Sequence, residues 1–241
     1  MSYKIHHNEL SKDLEAIDNQ VPLDESPLPL RSTTHLIVAK KGSGKSSMVI
    51  NMLKSKNAYN KKFDNIYLFS PTCRGDSKFD ELVEELDEEG KVHDDLTPET
   101  LHQVLEEIKN FNSSFDVKKK KRQPLSLIIF DDCFHQLLKK GKDAVVLNKL
   151  ITTARHYKTS LIFCIQRFKV SPLLRSNCDL VSIFKVTNKQ ELKEILDEWS
   201  IPEELYNIAT HKPFGFLHVS YCAGGQPIYF SKFSRITFDE K

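Results

Sequence analysis

The stretch His35-Leu36-Ile37-Val38-Ala39-Lys40-Lys41-Gly42-Ser43-Gly44-Lys45-Ser46-Ser47 constrains the fold more than any other part of the chain. An apolar strand with β-branched Ile37 and Val38 runs into a glycine-containing turn. Helix-compatible Ser47-Met48-Val49-Ile50-Asn51-Met52-Leu53 follows. Such a turn can aim several backbone N–H groups at one point, and the start of the helix adds a partial positive charge. A polyphosphate suits this arrangement. The pattern G-x-x-x-x-G-K-[ST] is met at Gly44, Lys45 and Ser46, with Ala39 in its first position. Alanine can serve there if the backbone avoids positive φ. On this reading Lys41, Gly42, Ser43, Gly44, Lys45, Ser46 and Ser47 cradle a nucleotide. Lys45 reaches the β- and γ-phosphates, and the Ser46 hydroxyl sits on Mg²⁺.

A second chemical element lies in Leu125-Ser126-Leu127-Ile128-Ile129-Phe130-Asp131-Asp132, an apolar strand ending in two carboxylates. At the carboxyl end of a buried parallel strand, Asp131 can hold Mg²⁺ beside the phosphate loop. Asp132 points differently and is the candidate general base for an attacking water, although it could instead cap a helix over the residues that follow. A third buried strand, Ser160-Leu161-Ile162-Phe163-Cys164-Ile165, ends at Gln166, whose amide can reach the γ-phosphate or the water. Arg155 before this strand, and Arg167 and Arg175 after it, are candidates for an arginine acting from a neighbouring subunit. Each could equally be an ordinary solvated arginine.

The rest of the chain sets bounds. Its 241 residues suffice for one α/β domain with a substantial core. No apolar run approaches a membrane span, and Met1-Ser2-Tyr3-Lys4 lacks a signal peptide's apolar core. The five cysteines form no C-x-x-C pair, which points to a reducing intracellular compartment. With a net charge of only +2, contact with nucleic acid has to come from local patches. Lys118-Lys119-Lys120-Lys121-Arg122 and Lys139-Lys140-Gly141-Lys142 are the candidate patches; a solvated loop is the other reading of the first. Residues 1–32, with Pro22, Pro27 and Pro29, read as an extended arm, either loose on the surface or laid on a neighbouring subunit.

Amphipathic segments alternate with the strands. A helix over 79–89 carries Phe79, Leu82, Val83 and Leu86 on one face and ends at Gly90. Another begins at cap Thr97 with Pro98 in the first position and runs to about Phe111. A third, over 143–156, turns Val145, Val146, Leu147, Leu150 and Ile151 inward. Residues 214–221 and 227–233 read as two strands joined by a hairpin turn. Trp199 is expected in the core. The alternation predicts one domain over residues 33–241: a central, mainly parallel sheet with helices on both faces and a C-terminal β-hairpin.

Several of these segments together resemble the FtsK/HerA superfamily of DNA-pumping ATPases. They are Leu150-Ile151-Thr152-Thr153-Ala154-Arg155-His156, Leu161 to Arg167, Leu174-Arg175-Ser176-Asn177, Ile183-Phe184-Lys185-Val186 and Glu194-Ile195-Leu196. With the phosphate loop and Asp131-Asp132, the resemblance spans about residues 33–200. The short chain and Phe69-Ser70-Pro71-Thr72 are similar to the genome-packaging ATPases of poxviruses, other large cytoplasmic DNA viruses and virophages. The sequence departs from the superfamily at Ala39, and at Ile165 where threonine is frequent.

That resemblance implies a RecA/ASCE-like P-loop NTPase using ATP and Mg²⁺ to move double-stranded DNA into a capsid. It implies Lys45 and Ser46 on nucleotide and metal, Asp131 and Asp132 as the metal and water pair, and Gln166 sensing the γ-phosphate. Arg155, with Arg175 second, would be the trans finger. The implied partners are double-stranded DNA, a homo-oligomeric ring (pentamer or hexamer) and a capsid vertex, with no membrane insertion. The implied location is the viral factory of the host cytoplasm, or the virion. A nucleotide kinase and a non-catalytic nucleotide-switch scaffold are the other functional classes open to the sequence.

Overall fold

The computed structural model describes residues 25–120, 122–133, 142–224 and 226–237. In chain order the strands and helices are β1 (Thr34–Val38), α1 (Lys45–Lys54), β2 (Asn65–Phe69), a 3₁₀ turn (Cys73–Gly75), α2 (Asp80–Glu88), β3 (Val92–His93), α3 (Pro98–Ser114) and α4 (Val117–Lys120). They continue with β4 (Ser126–Asp131), α5 (Lys142–Thr153), β5 (Thr159–Ile165), α6 (Pro172–Ser176), β6 (Leu180–Phe184), α7 (Lys189–Glu198), α8 (Glu203–Thr210), β7 (Phe216–Ser220), β8 (Ile228–Ser231) and β9 (Ser234–Arg235).

The strands form one sheet in the order β3-β2-β4-β5-β1-β6-β7-β8-β9. From β3 through β6 the pairings are parallel, and β7, β8 and β9 add an antiparallel end. The division follows the connections. The strands from β1 to β6 that pair are joined through crossover connections and run in the same direction. The two-helix link through α7 and α8 brings β7 back antiparallel to β6, and the short links after β7 reverse the chain again.

Every side chain of β1, β4, β5 and β6 is buried, as a sheet covered on both faces requires. Alternate residues feed two cores. Leu36, Val38, Ile128, Phe130 and Phe163 meet Leu101, Val104 and Ile108 of α3, Leu147, Leu150 and Ile151 of α5, and the apolar sides of α7 and α8. On the other face, Ile37, Leu127, Ile129 and Ile162 meet α1 through Met48, Val49 and Met52, and α2 through Leu82 and Leu86. Phe69, Phe130 and Phe163 stack side by side across β2, β4 and β5.

The helix ends follow their local chemistry. Thr97 and Thr100 form a reciprocal cap at the start of α3, with Pro98 in the first turn. Gly90 takes φ +67° just beyond α2. One expectation fails: Val145 is 63% exposed, not inward, because α5 turns its Leu147, Leu150 and Ile151 side to the sheet instead. Trp199 is half-buried against that core, edge-on to Phe168.

Residues 25–32 lie on their own domain. Leu28 packs against the core on the α1 side, and the Pro27 carbonyl accepts a hydrogen bond from His218 Nε2 at 2.7 Å. The remainder of the arm, residues 1–24, and Lys139, Lys140 and Gly141 of the second basic patch lie outside the described residues. Among the described residues no helix is long and apolar enough to cross a membrane.

Candidate nucleotide-binding and hydrolysis site

Parallel pairing brings the carboxyl ends of β1, β4 and β5 to one edge of the sheet. Val38 is level with Ile165, and Asp131 with Cys164. The chain leaves β1 at Ala39, whose N–H donates to Ile165 O at 3.0 Å. It then turns through Gly42 (φ +79°) and Gly44 (φ +96°) into α1. Positive φ therefore falls on the glycines and not on Ala39, which explains why alanine is tolerated at the first position of the loop.

Gly44 occupies the cap of α1 without a side chain to cap it. Within the loop the Ser43 N–H donates to Lys40 O at 3.2 Å. The N–H groups of Gly42, Gly44, Lys45, Ser46 and Ser47 have no acceptor among the described residues. A row of unpaired donors at a helix start, with no acidic residue in the first turn, is an anion-binding concavity.

Facing it is a compact charged group. The buried Lys45 ammonium lies 3.1 Å from Asp131 Oδ1 and also donates to Asp132 Oδ1. Gln166, in the position after β5, donates from Nε2 to Asp132 Oδ2 at 2.9 Å. Lys45, Asp131, Asp132 and Gln166 are thus brought into one network from three strand ends. Burial pushes the Asp131 carboxyl above the usual carboxylate range, against the pull of Lys45. Burial works against the Lys45 ammonium too, but the Asp131 and Asp132 carboxylates hold its pKa above the ordinary value. Burial also raises the Cys164 and Cys133 thiols beneath the site, so both stay protonated and neither is a nucleophile.

Asp132 has φ +55°, a left-handed backbone that aspartate tolerates better than most residues. This conformation turns its carboxylate toward Lys45 and Gln166. Asp131, fully extended in β4, keeps its Oδ1 buried without an aligned hydrogen bond. A buried carboxylate oxygen in that condition, with the Ser46 hydroxyl on the facing helix turn, is a donor set that fits a hard divalent cation. Among the described residues no three His, Cys, Asp or Glu side chains cluster as a self-sufficient metal site. Such a cation would therefore depend on the phosphates for part of its shell.

The three arginines part company. Arg167 follows Gln166 at the same edge of the sheet and is exposed. Arg155 is exposed at the opposite edge, before β5, where it pairs with Asp179, whose Oδ2 accepts from Thr34 N–H at 2.8 Å. A strand length of roughly 20 Å separates that edge from the loop. Arg175, in α6, pairs with Glu198 at 2.6 Å and lies over the Phe168 ring.

One part of this neighbourhood escaped the sequence. Next to the loop, on the β6–β7 side, a cleft of about 620 Å³ is walled by Gly44, Ser47, Phe184, Phe214, Phe216 and Phe233. Phe214 was expected in a strand. It precedes β7 instead, with φ +57° and 66% of its surface exposed. The pattern Phe214-Gly215-Phe216 was a usable hint, because an exposed aromatic beside a required glycine breaks strand alternation.

A parallel sheet whose P-loop strand lies beside a strand ending in Gln166, with the acidic strand next in order, defines a P-loop ATPase. More narrowly, the chain belongs to the poxvirus A32 protein family, whose model matches residues 28–209. Its fold is shared with B204, the DNA-packaging ATPase of Sulfolobus turreted icosahedral virus. The two are 20% identical with a TM-score of 0.60, over 83% of this chain and 98% of that one. The genome-packaging NTPase B204 of Sulfolobus turreted icosahedral virus 2, solved with ATP-γS, gives 18% identity and a TM-score of 0.57 over 82% and 96%. The cytoplasmic domain of the type VII secretion ATPase EccC of Thermomonospora curvata gives 14% and 0.51, over 86% of this chain but 26% of that one. No curated protein matches the chain.

Proposed function

We propose that this protein hydrolyses ATP to drive double-stranded DNA into a viral capsid, acting as a ring of identical subunits. The observation that carries the reading is the network of Lys45, Asp131, Asp132 and Gln166 facing a row of unpaired loop N–H groups. Membership of the A32 family and the fold shared with a packaging ATPase support the DNA-packaging role.

In this reading the loop N–H groups and Lys45 hold the β- and γ-phosphates, while Ser46 and Asp131 hold Mg²⁺. The bound ion would neutralise charge on the transferring phosphoryl group. Lys45 leaves its carboxylate partners to reach the phosphates, which frees Asp132 to orient and deprotonate water. Gln166, bonded to Asp132, would report the γ-phosphate to the same group. Such catalysis works by positioning and charge, without a covalent intermediate.

DNA would meet local basic surface. Lys118, Lys119 and Lys120 are exposed on α4, and Arg122 just beyond them walls a cleft of about 490 Å³ with Lys62, Arg155 and Lys158. This cleft lies at the sheet edge opposite the nucleotide loop. The capsid vertex and the viral factory or virion are the partner and place that go with this role.

The test is Asp132→Asn, assayed for ATP turnover with and without long duplex DNA. Removing a general base is expected to lower turnover by about 10²–10⁴-fold while nucleotide binding persists. Unmodified protein should turn over faster when DNA is added. Turnover unchanged in Asp132→Asn would refute the base assignment, and phosphorylation of a small molecule in place of DNA stimulation would point to a kinase.

A further inference from the structure

The cleft beside the phosphate loop has a specific occupant. We propose that it takes the purine base of the nucleoside triphosphate, stacked on Phe214, and that it accepts adenine and guanine alike. This rests on the phosphate site proposed above and identifies how the rest of the ligand is held.

Direction comes first. Asp131 and Gln166 lie on the β4–β5 side of β1, so the γ-phosphate end belongs there. The remainder of the nucleotide has to leave the loop away from them. The cleft opens on the other side of β1, where β6 ends at Phe184 and β7 begins at Phe216, and it shares Gly42, Gly44 and Ser47 with the loop. Through these shared residues it is continuous with the phosphate site.

Chemistry comes second. Four phenylalanines wall the cleft, which suits a flat aromatic ring better than a sugar or a metal. Phe184 and Phe216 already pack together with ring centres 4.8 Å apart, and Phe233 meets Phe216 edge-on at 5.4 Å. Phe214 is the exception, presenting most of its ring to solvent. Its position is enforced: the Gly215 N–H bonds to Lys212 O at 3.0 Å, and a Cβ at Gly215 would fall 2.5 Å from Ala209 O. Glycine is thus required after Phe214, and Phe214 itself takes the left-handed φ of +57°. Lys232, also lining the cleft, has φ +57° as well. Two strained non-glycine residues on one cleft mark a functional wall more than a packing accident.

Selectivity comes third. Adenine and guanine differ at the six-position, amino against carbonyl, so discrimination needs a committed donor or acceptor there. The polar side chains on the walls are Ser47, Asn51, Lys78 and Lys232. An amide or hydroxyl can serve either purine by rotating, and among the described residues lining the cleft there is no carboxylate to demand an amino group. Stacking supplies affinity without reading the base edge.

The experiment is calorimetric titration of the full chain with the β,γ-methylene analogues of ATP and GTP and with inorganic tripolyphosphate. The variants are Phe214→Asn, which keeps the left-handed backbone but loses the ring, and Phe214→Tyr, which restores a ring. The two analogues should bind within about tenfold of each other, since no described residue lining the cleft rejects either one. Phe214→Asn should weaken both by about tenfold or more, Phe214→Tyr should recover them, and tripolyphosphate affinity should stay the same in all three proteins. Unchanged analogue affinity in Phe214→Asn, with tripolyphosphate still bound, overturns the base site alone. The same result with a change in oligomeric mass would reassign the cleft to a contact between copies. A preference of more than a hundredfold for one purine overturns the promiscuity. Failure of tripolyphosphate to bind the unmodified chain removes the phosphate site itself.

Discussion

Asp131 and Asp132 are neighbours in sequence with opposite environments. The first is buried in a strand beside a lysine, and the second is turned out of the strand by a left-handed backbone. In the proposed reading, that one residue step separates the carboxylate that would hold Mg²⁺ from the one that would orient water. Gly215 makes a similar point about space. Substituting Gly215→Ala drives a methyl group into the Ala209 carbonyl, with Lys212 O at 3.0 Å on another side. Backbone atoms cannot rotate away as a side chain can. The expected loss is about 1–3 kcal/mol in thermal or denaturant unfolding. An unchanged midpoint would mean that the turn between α8 and β7 yields freely and does not hold Phe214 in place.

At the scale of elements, β1, β6 and β7 are tied together by a buried polar relay. His218 Nε2 donates to Pro27 O, so its Nδ1 accepts from the Ser182 hydroxyl at 2.8 Å. Ser182 Oγ in turn accepts from His35 Nε2 at 2.9 Å. All three side chains are buried. Burial lowers the His218 pKa to about 4, and burial together with His218 holds His35 well below its ordinary value. Both imidazoles are thus neutral when folded.

The unfolded chain takes up protons at these sites near pH 6.5, before the folded chain does. Their stabilisation is therefore complete above about pH 6.5 and is lost as pH falls toward 4. His218 alone would account for about 3 kcal/mol over that interval, at the linkage rate of one pKa unit per 1.36 kcal/mol. Denaturant titrations at pH 7, 6 and 5 should show stability dropping in that order. Replacing His218 by Gln should flatten the trend, and an equally steep profile in that variant would exclude the relay as its source.

At the scale of the whole molecule, the described residues set the glycine loop and the Lys45 network at the carboxyl ends of the parallel strands and basic surface at their other ends. Arg155 belongs to the latter, beyond reach of its own phosphate loop, so any part it plays in hydrolysis has to be played across a subunit boundary. Mixing Arg155→Ala with Lys45→Ala subunits tests this. Each parent should be inactive, and the mixture should recover partial ATPase activity, because some boundaries then pair an intact loop with an intact arginine. Full activity in Arg155→Ala by itself would end that role and turn attention to Arg167, which lies at the nucleotide edge of its own chain.

The sequence by itself determined the phosphate loop, the acidic strand end and the buried strands, because each is written in contiguous residues. A glycine turn, a doubled aspartate and an unbroken apolar run carry their meaning locally. It also settled which faces of α2 and α3 are buried, since helical periodicity is local as well.

Only the tertiary structure decided the order β4-β5-β1, which sets Gln166 against Asp132 and removes Arg155 to the far edge. It also assembled the Phe184, Phe214, Phe216 and Phe233 cleft, and joined Pro27 to Ser182 and His35 through His218. Val145 shows the limit from the other side: an apolar residue in an apolar stretch is left exposed when the sheet needs a different side of its helix. The physical reason is common to all of these. Strand order and facing walls come from the packing of segments far apart in sequence, and no local pattern specifies which segment will lie beside which.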